Sequence, residues 1–271
     1  MNKLFVFILF IFSTSLFAAK APIIFVHGFG ITGGFYDTFT QIQKLAQENG
    51  HELFMARSPA FGDLEIRVKD LQKEIRKFVP NGPFHLVSHS MGGIDCRLLI
   101  ARDPQLASRM LSLTTLSSPH HGSLMADWLV GQRKGPVEQD RTVWETVLKY
   151  VFGNNWEGVE ELTTENMEKN FNPTVLDNPN IKYFSMSFYT EGSPFLVSPL
   201  PWVAPVILIH ERLGEGPNDG VVAVERSKWG VSLGTFQGDH WAETAPFPYR
   251  GHIIYKTIFQ RVFTNIDENF I

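Results

Sequence analysis

Phe84-His85-Leu86-Val87-Ser88-His89-Ser90-Met91-Gly92-Gly93 is the stretch on which the reading of this chain turns. A short apolar run of strand type ends at Ser88 and a helical pattern begins after Gly92, so Ser90 falls on the turn between them. A turn of that kind exposes the serine hydroxyl at the carboxyl edge of a sheet, with the dipole of the next helix aimed at it. Small residues are needed two before and two after the serine, because bulk there collides with the neighbouring strand and helix backbones. Gly92 meets that demand, and Ser88 stands where the pattern G-x-S-x-G has its first glycine. Ser88 is the poorer nucleophile, since its own second neighbour is Ser90 rather than glycine. Taken alone, the stretch serves equally as an ordinary strand-turn-helix corner, and the rest of the chain must decide.

The 271 residues, 44% hydrophobic and 19% charged, suit one compact α/β domain with a large core. A formal net charge of -4 without a basic cluster gives no reason to expect nucleic acid as a partner. Residues 1–19 read as a secretory signal peptide: Lys3 supplies a positive start, Leu4 to Phe12 is unbroken apolar sequence, and Ser13 to Ala19 is small and apolar. The apolar block is short for a membrane span of about 20 residues. Cutting after Ala18 or Ala19 leaves a large residue where a small one is preferred, so an uncleaved N-terminal anchor is the alternative. The expected location is periplasmic or secreted. Cys96 is the one thiol, which excludes an intramolecular disulfide and suits a small core residue.

Residues 20–271 then read as a single α/β domain. Pro22 to Val26 is a strand-like run ending in His27-Gly28-Phe29-Gly30, and glycines directly after a buried strand imply a loop whose backbone approaches something closely. In a hydrolase that something is the substrate oxyanion, with the Phe29 and Met91 amides as its donors. His27 is read as orienting this loop rather than as a base. Phe35 to Asn49 predicts a helix and Glu52 to Arg57 a strand. Leu64, Val68, Leu71, Ile75 and Phe78 recur at four-three spacing, predicting a helix begun near Asp63 and ended at Pro80. The stretch around Ser90, its helix through about Arg102, and a strand at Leu111 to Leu116 continue the alternation. Strand and helix in turn argue for a mostly parallel sheet covered on both faces, whose functional loops gather at the carboxyl ends of the strands.

His120 and His121 in Ser117-Ser-Pro-His-His-Gly122 are read as a structural loop. One cysteine in the chain and no flanking carboxylate at ligand spacing give no zinc site. Asp127 is read as a cap for the next helix. From about 124 to 170 the βα rhythm stops, and Trp128, Val143, Trp144, Phe152 and Trp156 appear among many charges. This is either a helical insertion packed on the body or a mobile apolar lid that opens at a lipid surface. Phe195 to Ile209, broken by prolines, reads as an irregular wall of the same pocket.

Further strands are predicted at Ile181 to Phe188 and Val231 to Phe236. Gly216-Pro-Asn218-Asp219-Gly220 is a turn with an acid at its tip, and Gly238-Asp239-His240-Trp241 is another turn. The chain order Ser90, Asp219, His240 lets His240 take the proton of Ser90 while Asp219 fixes the imidazole tautomer. Asp239 is the competing acid, ranked lower because adjacent residues seldom point at one another.

Val26-His-Gly-Phe-Gly30, Ser88-His-Ser-Met-Gly-Gly-Ile-Asp-Cys-Arg97, Ser118-Pro-His-His-Gly-Ser123, Asn218-Asp-Gly-Val221 with Ser227-Lys-Trp-Gly230, and Gly238-Asp-His240 occur in that order. In these blocks the chain resembles the triacylglycerol lipase family, in the branch of secreted bacterial lipases and mitochondrial-type fungal lipases. The resemblance implies an α/β-hydrolase fold and hydrolysis of lipid esters, with Ser90, Asp219 and His240 as triad and the Phe29 and Met91 amides as oxyanion hole. It implies no cofactor, a lipid or ester substrate met at a lipid-water interface, and transient contact of the lid with a membrane surface. Rival activities on the same scaffold are phospholipase, thioesterase and short-chain esterase, and a rival of another class is a non-catalytic lipid-binding protein. The bacterial lipases hold a structural calcium through an aspartate two residues after the histidine and another before the acid. Here Ala242 occupies the first position, and no aspartate lies between Glu191 and Asn218. A hard cation needs several oxygen ligands, carboxylates among them, so no metal is expected. Ester hydrolysis assayed with and without a divalent-ion chelator is expected to be equal; marked loss with the chelator would overturn this.

Overall fold

The computed structural model describes residues 20–30, 33–131, 157–190, 214–244 and 253–270. The proposed leader at 1–19, most of the insertion and the proline-broken tract at 195–209 lie outside the described residues. Six strands, β1 (Ile23–Val26), β2 (Leu53–Ala56), β3 (Phe84–His89), β4 (Met110–Leu116), β5 (Lys182–Tyr189) and β6 (Val231–Gln237), form one sheet. The order is β2-β1-β3-β4-β5-β6 and every neighbouring pair is parallel. Strands buried on both faces read as continuous apolar runs, which is why β1 and β3 stand out in the sequence.

Side chains alternate along each strand, so adjacent residues feed opposite layers. Ile24, Val26 and Leu86 pack with Leu64, Val68, Leu71 and Ile75 of α2 (Leu64–Phe78) and with Ile94 and Leu99 of α3 (Met91–Arg102). Ile23, Phe25 and Val87 pack on the other face against Phe39 and Ile42 of α1 (Gly33–Glu48) and against Phe259, Val262 and Phe263 of the C-terminal helix Tyr255–Phe270. The expected helix near Asp63 begins there because the Asp63 side chain accepts from the Ile66 amide at 2.7 Å, satisfying one orphan donor of the first turn. Its end at Phe78 precedes Pro80, as the sequence predicts.

β2 lies on one side of β1 and β3 to β6 follow on the other, so the order reverses between β1 and β3. A crevice opens outside the carboxyl ends of the strands at such a switch point. The register pairs Val26 with Ser88, so the loop after β1 and the turn after β3 leave the sheet level with each other.

The ends of the insertion that are described pack on the body. Ser123 caps the short helix Leu124–Leu129, and Leu124, Ala126 and Trp128 are buried. Asp127 lies inside this helix; its carboxylate accepts from the Thr164 amide at 2.7 Å and hydroxyl at 2.6 Å, so it caps the helical turn at Thr164–Asn166 from across the structure.

A buried ion pair ties α2 to α3. Arg67 Nη2 lies 2.6 Å from Asp95 Oδ2, with both side chains fully buried, and the same guanidinium donates to the carbonyls of His27 and Pro59. Removing one partner of such a pair leaves a buried charge uncompensated and costs about 3–5 kcal/mol, whereas replacing both with apolar groups is far cheaper. Urea unfolding of Arg67→Met is expected to show a loss of that order, and Arg67→Met with Asp95→Leu to recover most of it. Equal losses in the single and double variants would contradict this account.

Candidate active site

β3 hands the chain to α3 through Ser90, whose backbone adopts φ 55° and ψ -133°. A positive φ is costly for a residue with a β-carbon, and strain of this kind persists only where the surroundings fix it. Here the Ser90 amide donates to the Leu116 carbonyl at 2.9 Å and its own carbonyl accepts from the Gly93 amide at 3.0 Å. A β-carbon on residue 92 would stand 2.7 Å from the Val26 carbonyl oxygen and 2.8 Å from that of His27, so only glycine fits. A β-carbon on residue 28 would stand 2.6 Å from the Ser90 β-carbon, so Gly28 lets the loop after β1 lie directly against the serine. Ser88, in place of the first motif glycine, is fully buried beside the Cys96 thiol of α3. Another small side chain at 96 leaves room for it.

The structure brings Ser90, His240 and Asp219 together. His240 Nε2 lies 2.9 Å from Ser90 Oγ, and His240 Nδ1 lies 2.6 Å from Asp219 Oδ2. With Nδ1 donating to the carboxylate, Nε2 is left as the acceptor for the serine proton, which is the tautomer a base requires. The other Asp219 oxygen accepts from the Val221 and Val222 amides at 2.8 and 2.7 Å. Burial alone would push the Asp219 carboxyl up, but the charge and hydrogen bond of His240, the Ser117 hydroxyl and the Val222 amide outweigh it and hold the group well below the usual carboxylate range. Asp239, the competing acid, instead caps the histidine turn by accepting from the Trp241 and Ala242 amides, each at 2.9 Å.

His27 orients its loop. Its Nδ1 donates to the Gly28 carbonyl at 2.8 Å and its Nε2 faces the Ser58 amide and hydroxyl at 3.4 Å, away from Ser90. His120 is buried against Thr115 and stacks on Trp229, and the His121 ring lies 5.6 Å from the same indole. The Arg97 guanidinium lies over the same indole, 3.6 Å from its ring centroid, so this loop is packing for α3 rather than a ligand set.

Two residues that carry no motif signature stand behind the triad. His89, next to the serine, has its ring centroid 4.6 Å from that of His240 and donates through Nε2 to the His240 carbonyl at 2.8 Å. Glu243, three residues after the histidine, is fully buried, and its Oε2 lies 3.4 Å from His89 Nε2. Among the described residues, His89, His240 and Glu243 are the group whose ligand-type atoms converge, within 4.8 Å of one another. The ring atoms of His240 are committed to Ser90 and Asp219 and His89 Nε2 to a carbonyl, so a cation there would have to dismantle the triad. Sequence order alone cannot find these two, because their neighbours lie some 150 positions apart along the chain.

Buried imidazoles also set how the fold responds to acid. Burial, then the charge of Arg67, lowers His27 to about 4, and burial, then His51, lowers His85 to about 4. His89 and His120 are lowered too, chiefly by burial. Their contribution to stability is complete above the unfolded value of 6.5 and is lost as pH falls toward 4, because the unfolded chain takes up protons that the folded chain refuses. Glu161 and Glu243, raised chiefly by burial, act in the opposite sense but are outnumbered. Melting temperature is therefore expected to fall steadily from pH 6.5 to pH 4, and His85→Gln to flatten that slope; a flat wild-type profile would contradict it.

Residues 23–245 match the family model described as the alpha/beta hydrolase family. The chain is 34% identical over 207 residues to triacylglycerol lipase 2 of Saccharomyces cerevisiae, an alignment covering 73% of this chain and 59% of that protein. It is 35% identical over 115 residues to a triacylglycerol lipase of Pseudomonas fragi, covering 41% of this chain and 38% of that one. The aligned region thus spans less than two thirds of these relatives. Among solved structures, it is similar to the mature Bacillus licheniformis lipase BlEst2, with TM-score 0.68 and 23% identity over 91% of this chain and 93% of that one. It is also similar to the metagenomic carboxyl esterase MGS0156, with TM-score 0.71 and 15% identity over 93% and 77% of the two chains. At such identities the structures speak for the fold alone.

Proposed function

The chain belongs to the alpha/beta hydrolase family, and from that membership we propose that it is a serine hydrolase of lipid carboxylic esters, a triacylglycerol lipase working through an acyl-enzyme on Ser90. The observation that carries the reading is the unbroken line Ser90 Oγ, His240, Asp219, with contacts of 2.9 and 2.6 Å. The lipase names of the relatives support the choice of acyl substrate.

In the mechanism this geometry supports, Ser90 Oγ attacks the ester carbonyl while His240 Nε2 takes its proton. Asp219, held anionic by the charge and hydrogen bond of His240, the Ser117 hydroxyl and the Val222 amide, stabilises the imidazolium. The negative charge on the former carbonyl oxygen is received by the Phe29 and Met91 amides, and one such donor is worth about 2.7–4 kcal/mol in the transition state. The intermediate collapses to acyl-serine as His240 returns the proton to the leaving alcohol. Water then repeats the sequence and releases the fatty acid.

The aromatic-rich insertion at 124–170 supports a lid that meets the substrate at a lipid-water interface, and the leader-like residues 1–19 support export. The test is hydrolysis of a long-chain triacylglycerol emulsion by the purified protein and by Ser90→Ala, with a serine-directed phosphonate as label. Activity is expected to fall by at least ~10⁴-fold in Ser90→Ala, and only the wild type should be labelled. Preference for phospholipid, thioester or short-chain soluble ester would move the assignment to that activity. Absence of both turnover and labelling would leave the lipid-binding alternative.

A further inference from the structure

Residues 158–166, the stretch by which the insertion returns to the body, arrive beside the two residues whose amides receive the oxyanion. A β-carbon on residue 158 would stand 2.6 Å from the Gly62 carbonyl oxygen and 2.8 Å from Cε of Met91, so glycine is what lets this stretch lie against them. Three residues on, Glu161 Oε2 accepts from the Leu64 amide at 2.7 Å, the first amide of α2. Such a donor has no partner within its own helix, and the Asp63 side chain is engaged with the Ile66 amide. A carboxyl from 97 positions away therefore completes the start of α2. Burial raises that carboxyl to about 7, and with or without its proton it keeps an oxygen for the amide.

The loop that leads into α2, residues 58–63, reaches the other way to the oxyanion loop after β1. Its Ala60 carbonyl accepts from the Gly30 amide at 2.7 Å, and the Phe61 ring meets the Phe29 ring edge-on with centroids 5.2 Å apart. Phe29 is thus gripped through its own ring and through the next peptide. The returning stretch is braced in turn. The Ser123 amide donates to the Leu162 carbonyl at 2.9 Å, Asp127 caps Thr164, and Asn166 Nδ2 donates to the Glu161 carbonyl at 2.8 Å.

We propose that Glu161 is a positioning residue: by binding the Leu64 amide it seats the returning stretch on loop 58–63, and so sets Phe29 through that loop and Met91 through Gly158. The role rests on the ester hydrolysis proposed above and on its two oxyanion donors. A donor slightly out of place stabilises the developing charge less while leaving substrate binding as it was. The signature of Glu161 therefore lies in kcat and not in KM.

Two probes read the role: turnover of a soluble ester, and inhibition by a trifluoromethyl ketone. Ser90 Oγ adds to the ketone carbon, the carbonyl electron pair moves onto oxygen, and the serine proton passes to His240, which leaves an alkoxide for the two amides to hold. Glu161→Ala is expected to lose about tenfold in kcat at unchanged KM and to bind the ketone more weakly by the same factor. Glu161→Gln, which keeps an acceptor oxygen at the same reach, is expected to return kcat to within about twofold of the wild type. Wild-type kcat in Glu161→Ala overturns the proposal, as does a loss carried by KM or one equally large in the Gln variant. If Glu161→Ala fails to fold, Gly158→Ala displaces the same stretch by a methyl group and is expected to lose kcat at unchanged KM; wild-type kcat there overturns the proposal. Amide hydrogen exchange reads the linkage without catalysis. The Gly30 amide is expected to exchange faster in Glu161→Ala than in the wild type, and an unchanged rate overturns the proposal. Should the wild type show neither ester turnover nor phosphonate labelling of Ser90, the hydrolase reading fails, while exchange at Gly30 still decides whether Glu161 holds the oxyanion loop.

Discussion

Where a β-carbon on residue 92 would have to go, the carbonyl oxygens of Val26 and His27 already stand, and where one on residue 28 would go stands the side chain of Ser90. Mutual contact of two backbones is the constraint from which the rest of the site follows. It forces glycine at both positions, and it sets the loop after the first strand against the turn after the third. The sheet order makes this meeting available, because β1 and β3 are neighbours at the point where the strand order reverses. Long-range electrostatics then lock it: Arg67 reaches from α2 to hold the His27 carbonyl while paired to Asp95 on the helix that the serine turn begins.

Elements with a local signature were legible in the sequence, and elements with a distant cause were not. β1 and β3 are apolar because both faces are covered, the α2 stripe repeats every three or four residues, and Asp63 and Pro80 punctuate its ends; each of these signals lies within about four residues of what it determines. Chain order sufficed to pick Ser90, Asp219 and His240, and the structure places their side chains in one line. Between the two aspartates near the base, the preference for the distant Asp219 over the adjacent Asp239 followed from backbone geometry, and Asp239 is occupied with amides of its own turn.

Other parts were illegible for a physical reason. Arg67 looks like any charged residue on the polar side of a helix, yet it is fully buried, because its partner lies on another helix and its carbonyl acceptors on two loops. Asp127 reads as a cap for sequence just beyond it, whereas the amide it satisfies is that of Thr164. Glu243 carries no local signature, and its burial depends on Asp219 and His89 arriving from elsewhere. Polar groups in the interior are paired over long sequence distances, and periodicity carries no trace of the pairing.

Because the six strands among the described residues run the same way, the sheet has two unlike ends. The serine turn and the histidine turn leave from the carboxyl ends of β3 and β6, and the acid turn is held beside the carboxyl end of β5, where the Thr190 amide donates to the Asn218 carbonyl at 2.8 Å. Attachment chemistry directed to the opposite end, for instance at the exposed Lys182 where β5 begins, would present the reactive rim outward on a support. The shared direction of the strands thus supplies an orientation for immobilisation without any redesign of the site.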